Sequence, residues 1–208
     1  GRLYRLWWPH IDTPQHVDSV RVGIELDDKG TVTWFDDEKE GWKHEAAYVN
    51  RSNIFLVKAT HDAYPLAVDS LHFVVPDKDL LVREYTFTNT GDTSISFSFL
   101  MCSSMMVGEN PLYTTTMFEP SQDALVHYKQ LAYLAWGSPL EVAKFQVGTS
   151  LKEVRGGSQA LKGNLIEMET CGALAWRCEQ LEPGESVVIP LYLVAGSDLE
   201  EVMELLNE

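Results

Sequence analysis

Eight carboxylates and six histidines have the side-chain types that sugar chemistry uses. Hydrolysis of a glycosidic bond needs two carboxyl groups across the scissile bond, one protonated and one ionised. The candidates are Asp12, Asp18, Asp36, Asp37, Glu38, Glu40, Glu45 and Glu84. Spacing along the chain does not pair them, and the run from Asp36 to Glu40 reads most simply as a solvated hairpin tip. Epimerisation of a sugar needs a base and an acid, commonly a carboxylate and histidines tuned towards neutrality. Most of the six, which include His61, His72 and His127, are expected at a surface or interface. His10-x-Asp12 and His16-x-Asp18 place side chains on one side of an extended segment. Pro9 and Pro14 break regular pairing there, so neither a metal nor a cofactor is assigned.

Six tryptophans invite a carbohydrate-binding reading, because flat aromatics stack on sugar rings. Trp136 and Trp176 lie in apolar runs and are expected in the core, whereas Trp34 fits either place. Trp7, Trp8 and Trp42 are the candidates for a contact surface. Aromatics are enriched at interfaces of every kind, so a domain contact competes with a sugar site. The sequence contains no P-loop, no GxGxxG, no GxSxG elbow and no HExxH. No self-sufficient catalytic constellation stands out.

The elements that must position these groups are mostly strands. Alternation and β-branched runs predict strands over 20–26, 31–35, 53–60, 66–75, 80–89, 93–101, 112–118, 124–127, 131–136, 142–148, 165–169, 173–180 and 186–195. Asp27-Asp28-Lys29-Gly30 and Thr90-Gly91-Asp92 read as hairpin turns. In 93–101, Ile95, Phe97, Phe99 and Met101 should face the core, and Ser94, Ser96 and Ser98 should face water. The inner positions of the last strand are expected at Val188, Pro190, Tyr192 and Val194. Ser197-Asp198-Leu199-Glu200 matches a capping box with Ser197 as N-cap. Leu199, Val202, Met203 and Leu206 follow as an apolar helical stripe. Many short strands with regular turns predict an all-β fold, a large two-sheet antiparallel sandwich with one C-terminal helix.

Length and 45% hydrophobic content allow one sizeable core. The formal net charge of −15 disfavours nucleic acid and anionic membranes as partners. Three cysteines, Cys102, Cys171 and Cys178, make neither a disulfide framework nor a zinc ribbon, and buried free thiols are expected. No apolar run approaches the ~20 residues of a membrane-spanning helix. Strand-like sequence begins at Gly1-Arg2-Leu3-Tyr4 without a signal peptide, which together with the odd cysteine count favours a cytoplasmic location.

One order of residues is more specific. Trp7-Trp8-Pro9, Ile11-Asp12, Pro14-Gln15 and Asp18 precede a hairpin and a segment ending in His44-Glu45. This order resembles the amino-terminal domain of bacterial glucoamylases and glucodextranases of glycoside hydrolase family 15. Arg83 to Asn89 is similar to the family as well, while the family's further strands before the position of Tyr4 have no counterpart here. The resemblance implies a galactose mutarotase-like β super-sandwich over residues 1–196, with 197–208 starting a linker helix to a catalytic domain. It implies a parent that hydrolyses α-glucosidic bonds by inversion on a C-terminal α/α barrel, with no catalytic residue in this chain. Trp7, Trp8, His10, Asp12, Gln15, Asp18, Trp42, His44 and Glu45 would then serve the domain interface or bind an oligosaccharide. The rival readings are a free-standing carbohydrate-binding module and an aldose epimerase-like enzyme.

Overall fold

A computed structural model describes residues 2–26, 30–149 and 151–208. The strands in chain order are β1 (Val17–Leu26), β2 (Thr33–Trp34), β3 (Trp42–Tyr48), β4 (Phe55–His61), β5 (Leu66–Val74), β6 (Leu80–Asn89) and β7 (Ile95–Met105). They continue with β8 (Thr115–Glu119), β9 (Ala124–Lys129), β10 (Ala132–Gly137), β11 (Lys144–Val147), β12 (Ile166–Glu167), β13 (Cys171–Leu181) and β14 (Ser186–Gly196). The helices are α1 (Leu151–Val154) and α2 (Leu199–Asn207). Among the described residues the strands form two antiparallel sheets. One has five strands in the order β11-β13-β7-β1-β2, and the other has nine in the order β12-β8-β9-β10-β14-β6-β5-β4-β3. The expected two-sheet sandwich is thus the observed fold. Asp27, Asp28 and Lys29 of the first expected turn lie outside the described residues. β3 was not anticipated as a strand, because after Trp42 both its faces are exposed and its sequence carries no apolar alternation.

The inner faces meet in one aromatic core. Phe97, Phe99 and Met101 from β7 are fully buried against Tyr85 and Phe87 from β6. Phe87 and Phe99 sit with ring centroids 5.1 Å apart at 60°, an arrangement that aromatic quadrupoles favour. Each such buried side chain contributes roughly 1.5–3 kcal/mol of transfer free energy. Trp136 and Trp176 lie in the core as expected, and Trp34 joins them in burial.

β14 reverses the expected inner set. Ile189, Leu191, Leu193 and Ala195 face the sandwich core, whereas Val188 is 45% exposed and Val194 packs on the outer side. A strand has a period of two, so choosing the wrong parity moves every side chain to the other face. The sequence there is apolar at both parities because α2 covers the outer face. Its Leu199, Val202, Met203 and Leu206 pack over Ala135 and Val194. The serine face of β7 is corrected in the same way. Ser94 is exposed, but Ser98 is buried. A second cluster, in which Val154 and Leu161 close over Leu100 and Cys102, covers that side.

α2 starts one residue later than expected. Asp198 is the N-cap, and its carboxylate accepts from the Glu201 amide at 2.9 Å. Glu201 reaches back and accepts from the Ser197 amide at 2.6 Å. Asp198 therefore caps the helix through the Glu201 amide, while the Glu201 carboxylate braces the preceding Ser197 rather than the cap's own amide. All three cysteines are free. Burial pushes the Cys102 thiol up to about 12, which leaves it a small core hydrophobe. No described helix is long and apolar enough to cross a membrane.

Candidate functional site

The segment before β1 crosses one end of the sandwich. Leu3 and Val20 exchange backbone hydrogen bonds at 3.1 and 3.0 Å, and the His16 amide donates to the Leu6 carbonyl at 2.8 Å. Between these anchors the two prolines prevent continued pairing, so residues 8–14 form a loop. His16 holds that loop in place. It is buried; its Nδ1 accepts from the Gly108 amide at 3.1 Å, and its Nε2 therefore donates to the Trp8 carbonyl at 3.0 Å. The Thr13 hydroxyl donates to the same carbonyl at 2.8 Å. Gln15 ties the loop to its neighbour, since its carbonyl accepts from the Glu109 amide at 3.0 Å. Its side-chain oxygen accepts from the Val17 amide at 3.0 Å. His16 and Gln15 are thus positioning residues within the loop.

What the loop presents is apolar. Trp8 packs half-buried on the main core, while Trp7 is 38% and Ile11 76% exposed. His10, Asp12 and Asp18 are exposed beside them. An open groove of about 510 Å³ runs from Trp8 and Pro14 to Asn110 and Leu131. Leu131 in its lining is exposed, as are Leu112 and Tyr113, which follow Asn110 in the chain. Soluble surfaces rarely gather this many large apolar groups at one end without a partner for them.

The expected site residues do not converge. Trp42 is a core residue, not a contact residue. Its ring meets Phe35 edge-on at 4.7 Å, and its Nε1 donates to the Thr33 hydroxyl at 2.9 Å. It lies opposite His61, near the Leu66 end of β5, whereas the loop of Trp7 and Trp8 borders Val74 and Leu80. Eight strand residues separate those two ends, roughly 25 Å. His44 and Glu45 are exposed on β3. Burial lowers the His44 pKa, against the opposing pull of the Phe35 carbonyl and Asp36. The acidic run is not a solvated tip. Asp36 pairs with buried Arg21 at 2.7 and 2.8 Å, and Asp37 pairs with Arg155 at 3.2 Å.

Two histidine networks were missed. His72 faces inward on β5, where Arg83 Nε donates to its Nδ1 at 3.2 Å and its Nε2 meets the Ser70 hydroxyl at 3.0 Å. A cavity of about 190 Å³ opens over them between Leu3, Phe55 and Leu81. Burial, then the Arg83 charge, lowers the His72 pKa to about 3. A ring so neutral is a poor general base near pH 7, and no carboxylate lines the cavity among the described residues. His127 is fully buried between Ser103 at 2.7 Å and Thr116 at 2.9 Å. It joins the two sheets and has no access to a substrate. Strand parity was the signal that could have found both: Leu66, Val68, Ser70 and His72 share one face of β5. Among the described residues, no group of three or more histidine, cysteine, aspartate or glutamate side chains could hold a metal ion.

No protein-family model matches the sequence, and no curated protein matches it. Solved structures do match the fold. The whole chain superposes on 31% of a bacterial glucoamylase solved with acarbose, with a TM-score of 0.78 and 13% identity. The matched part is its N-terminal portion. A human-microbiome protein assigned as a kojibiose phosphorylase matches over 99% of this chain and 27% of its own, with a TM-score of 0.57 and 10% identity. The fold is that of the β-sandwich domains of such enzymes, and the chain spans about a third of the length of the structures it matches.

Proposed function

We propose that this chain is the non-catalytic N-terminal sandwich domain of a glycoside hydrolase family 15-like enzyme acting on α-glucans. Residues 1–196 form the domain, and 197–208 begin the connector to an α/α-barrel catalytic domain of the same polypeptide. The observation that carries this reading is the apolar end where Trp7 and Ile11 stand exposed on the loop whose Trp8 lines one groove with exposed Leu131. That end belongs to a fold which covers 31% of a glucoamylase chain. In this arrangement the end packs against the barrel and supports it. The dispersal of the carboxylates into arginine pairs and onto separate strands supports a domain that leaves the chemistry to its neighbour.

The reading makes two measurable demands. The isolated chain should release no glucose from maltooligosaccharides or dextrins; turnover that disappears when one of its carboxylates is changed would refute it. The reading frame beyond Glu208 should encode a helical barrel, and that barrel, produced separately, should bind this chain in calorimetry. Trp7→Ala combined with Ile11→Ser should weaken that binding by about tenfold or more, as expected for central apolar anchors. Unchanged affinity would remove this end from the interface.

A further inference from the structure

We propose that β3 is a docking edge for a second copy of this chain, which pairs antiparallel to it about a two-fold axis through His44. β3 is the last strand of the nine-stranded sheet, and every residue after Trp42 is exposed. Such an edge carries a free row of N–H and C=O groups. Its register on β4 is unbroken, from Trp42 opposite His61 to Tyr48 opposite Phe55. The same register continues to Val49, whose amide donates to the Ile54 carbonyl at 2.9 Å. Backbone groups alternate in direction along an antiparallel strand. Odd-numbered residues of β3 therefore bond to β4, and Trp42, His44, Ala46 and Tyr48 direct theirs to the free edge. A docking strand must set even-numbered residues opposite even-numbered ones.

Several two-fold registers satisfy that rule, and charge chooses among them. An axis through Lys43 sets two lysines face to face, and one through Glu45 sets two glutamates face to face. An axis through His44 sets Lys43 opposite Glu45 of the second copy, and does so twice. The neighbouring strands point the same way. Asp69, Lys58 and Glu45 stand side by side across β5, β4 and β3, alternating in sign. Lys43 of the second copy is the next member of that row. In the single chain Lys43 leans on Asp62 at 2.6 Å, with both side chains well exposed, so little is lost in the exchange. Burial lowers the His44 pKa, which favours the uncharged form of the two rings that meet at the axis.

Sedimentation velocity of the 208-residue chain over a range of concentrations tests this. The expected result is a reversible dimer. Lys43→Glu and Glu45→Lys should each raise its dissociation constant by about tenfold or more, because two opposite-charge pairs become two like-charge pairs. Mixing the two variants in equal amounts should restore association, since every cross-strand pair is again opposite. Ala46→Pro should abolish the dimer by removing an outward N–H that β4 does not use. Circular dichroism establishes that each variant remains folded. A monomer at every concentration would overturn the proposal, as would a dimer indifferent to all three substitutions.

Discussion

Gly157→Ala should lower the unfolding free energy by about 3–5 kcal/mol, the largest effect expected from one added methyl group in this chain. Gly157 has φ 78° and ψ −174°, a conformation almost confined to glycine. An added Cβ would stand 2.3 Å from Oε1 of Glu25. Glu25 cannot easily yield. It is fully buried; Oε1 accepts from the Gly30 amide and Oε2 from the Ser158 amide, both at 2.8 Å. The carboxylate thereby fastens the end of β1 to the loop that covers the outer face of the five-stranded sheet. Moving it would cost backbone strain and leave two amides without their acceptor. Gly108→Ala is the control. Its φ is also positive, at 73°, but nothing lies within 4 Å of its Cβ position. That variant should lose only about 1 kcal/mol. Urea unfolding of both proteins gives the comparison, and equal losses would show that the Glu25 contact adds nothing to the strain.

Periodicity made the sandwich legible where large apolar residues alternate with small polar ones. The apolar side of β7 at Ile95, Phe97 and Phe99 is the inner side, as the alternation required. It misled wherever a second layer covers the outer face. Val188 and Val194 were placed inward because β14 is apolar at both parities, and only the position of α2 explains why. β3 was hidden for the opposite reason. It is exposed on both faces after Trp42, so its sequence carries no alternation to read.

The candidate site was legible in part. The prolines and the polar residues between Trp7 and Asp18 marked an irregular, surface-forming segment, and the structure places Trp7, His10, Asp12 and Asp18 at the surface. Sequence could not reveal that Asn110 and Leu131 line one groove with Trp8 and Pro14, because these loops meet only through pairing across the fold. Nor could it separate Trp42 from Trp7. Both are tryptophans in the same recognisable pattern, yet one packs edge-on against Phe35 inside the core. Nothing in the sequence marks Arg21 with Asp36, or Glu25 with its two amides, as interior pairings. Arg21 and Glu25 are buried because each finds its partners across a strand or a loop.

His127 makes folding stability fall on acidification. The Thr116 hydroxyl donates to the Glu169 carbonyl at 2.5 Å, so it accepts from Nδ1–H of His127. Nε2 then accepts from the Ser103 hydroxyl at 2.7 Å, and the ring is satisfied only when neutral. Burial lowers its pKa to about 3, outweighing the opposing effect of the Thr170 backbone. An unfolded histidine takes up its proton near pH 6.5, and the folded one does not until about 3. The contribution is therefore complete above pH 6.5 and is lost as the pH falls from there towards 3. At pH 4.5 the loss from this one residue is about 2–3 kcal/mol. His72, also lowered to about 3, acts in the same direction. Urea unfolding at pH 7.5 and 4.5 measures the total, and His127→Gln isolates the share of His127. A glutamine amide can donate to Thr116 and accept from Ser103, but it does not titrate. The variant should be less stable than the parent at pH 7.5, and should lose about 2 kcal/mol less than the parent between the two pH values. Parallel losses in the two proteins would place the acid sensitivity elsewhere, with His72 the next group to change.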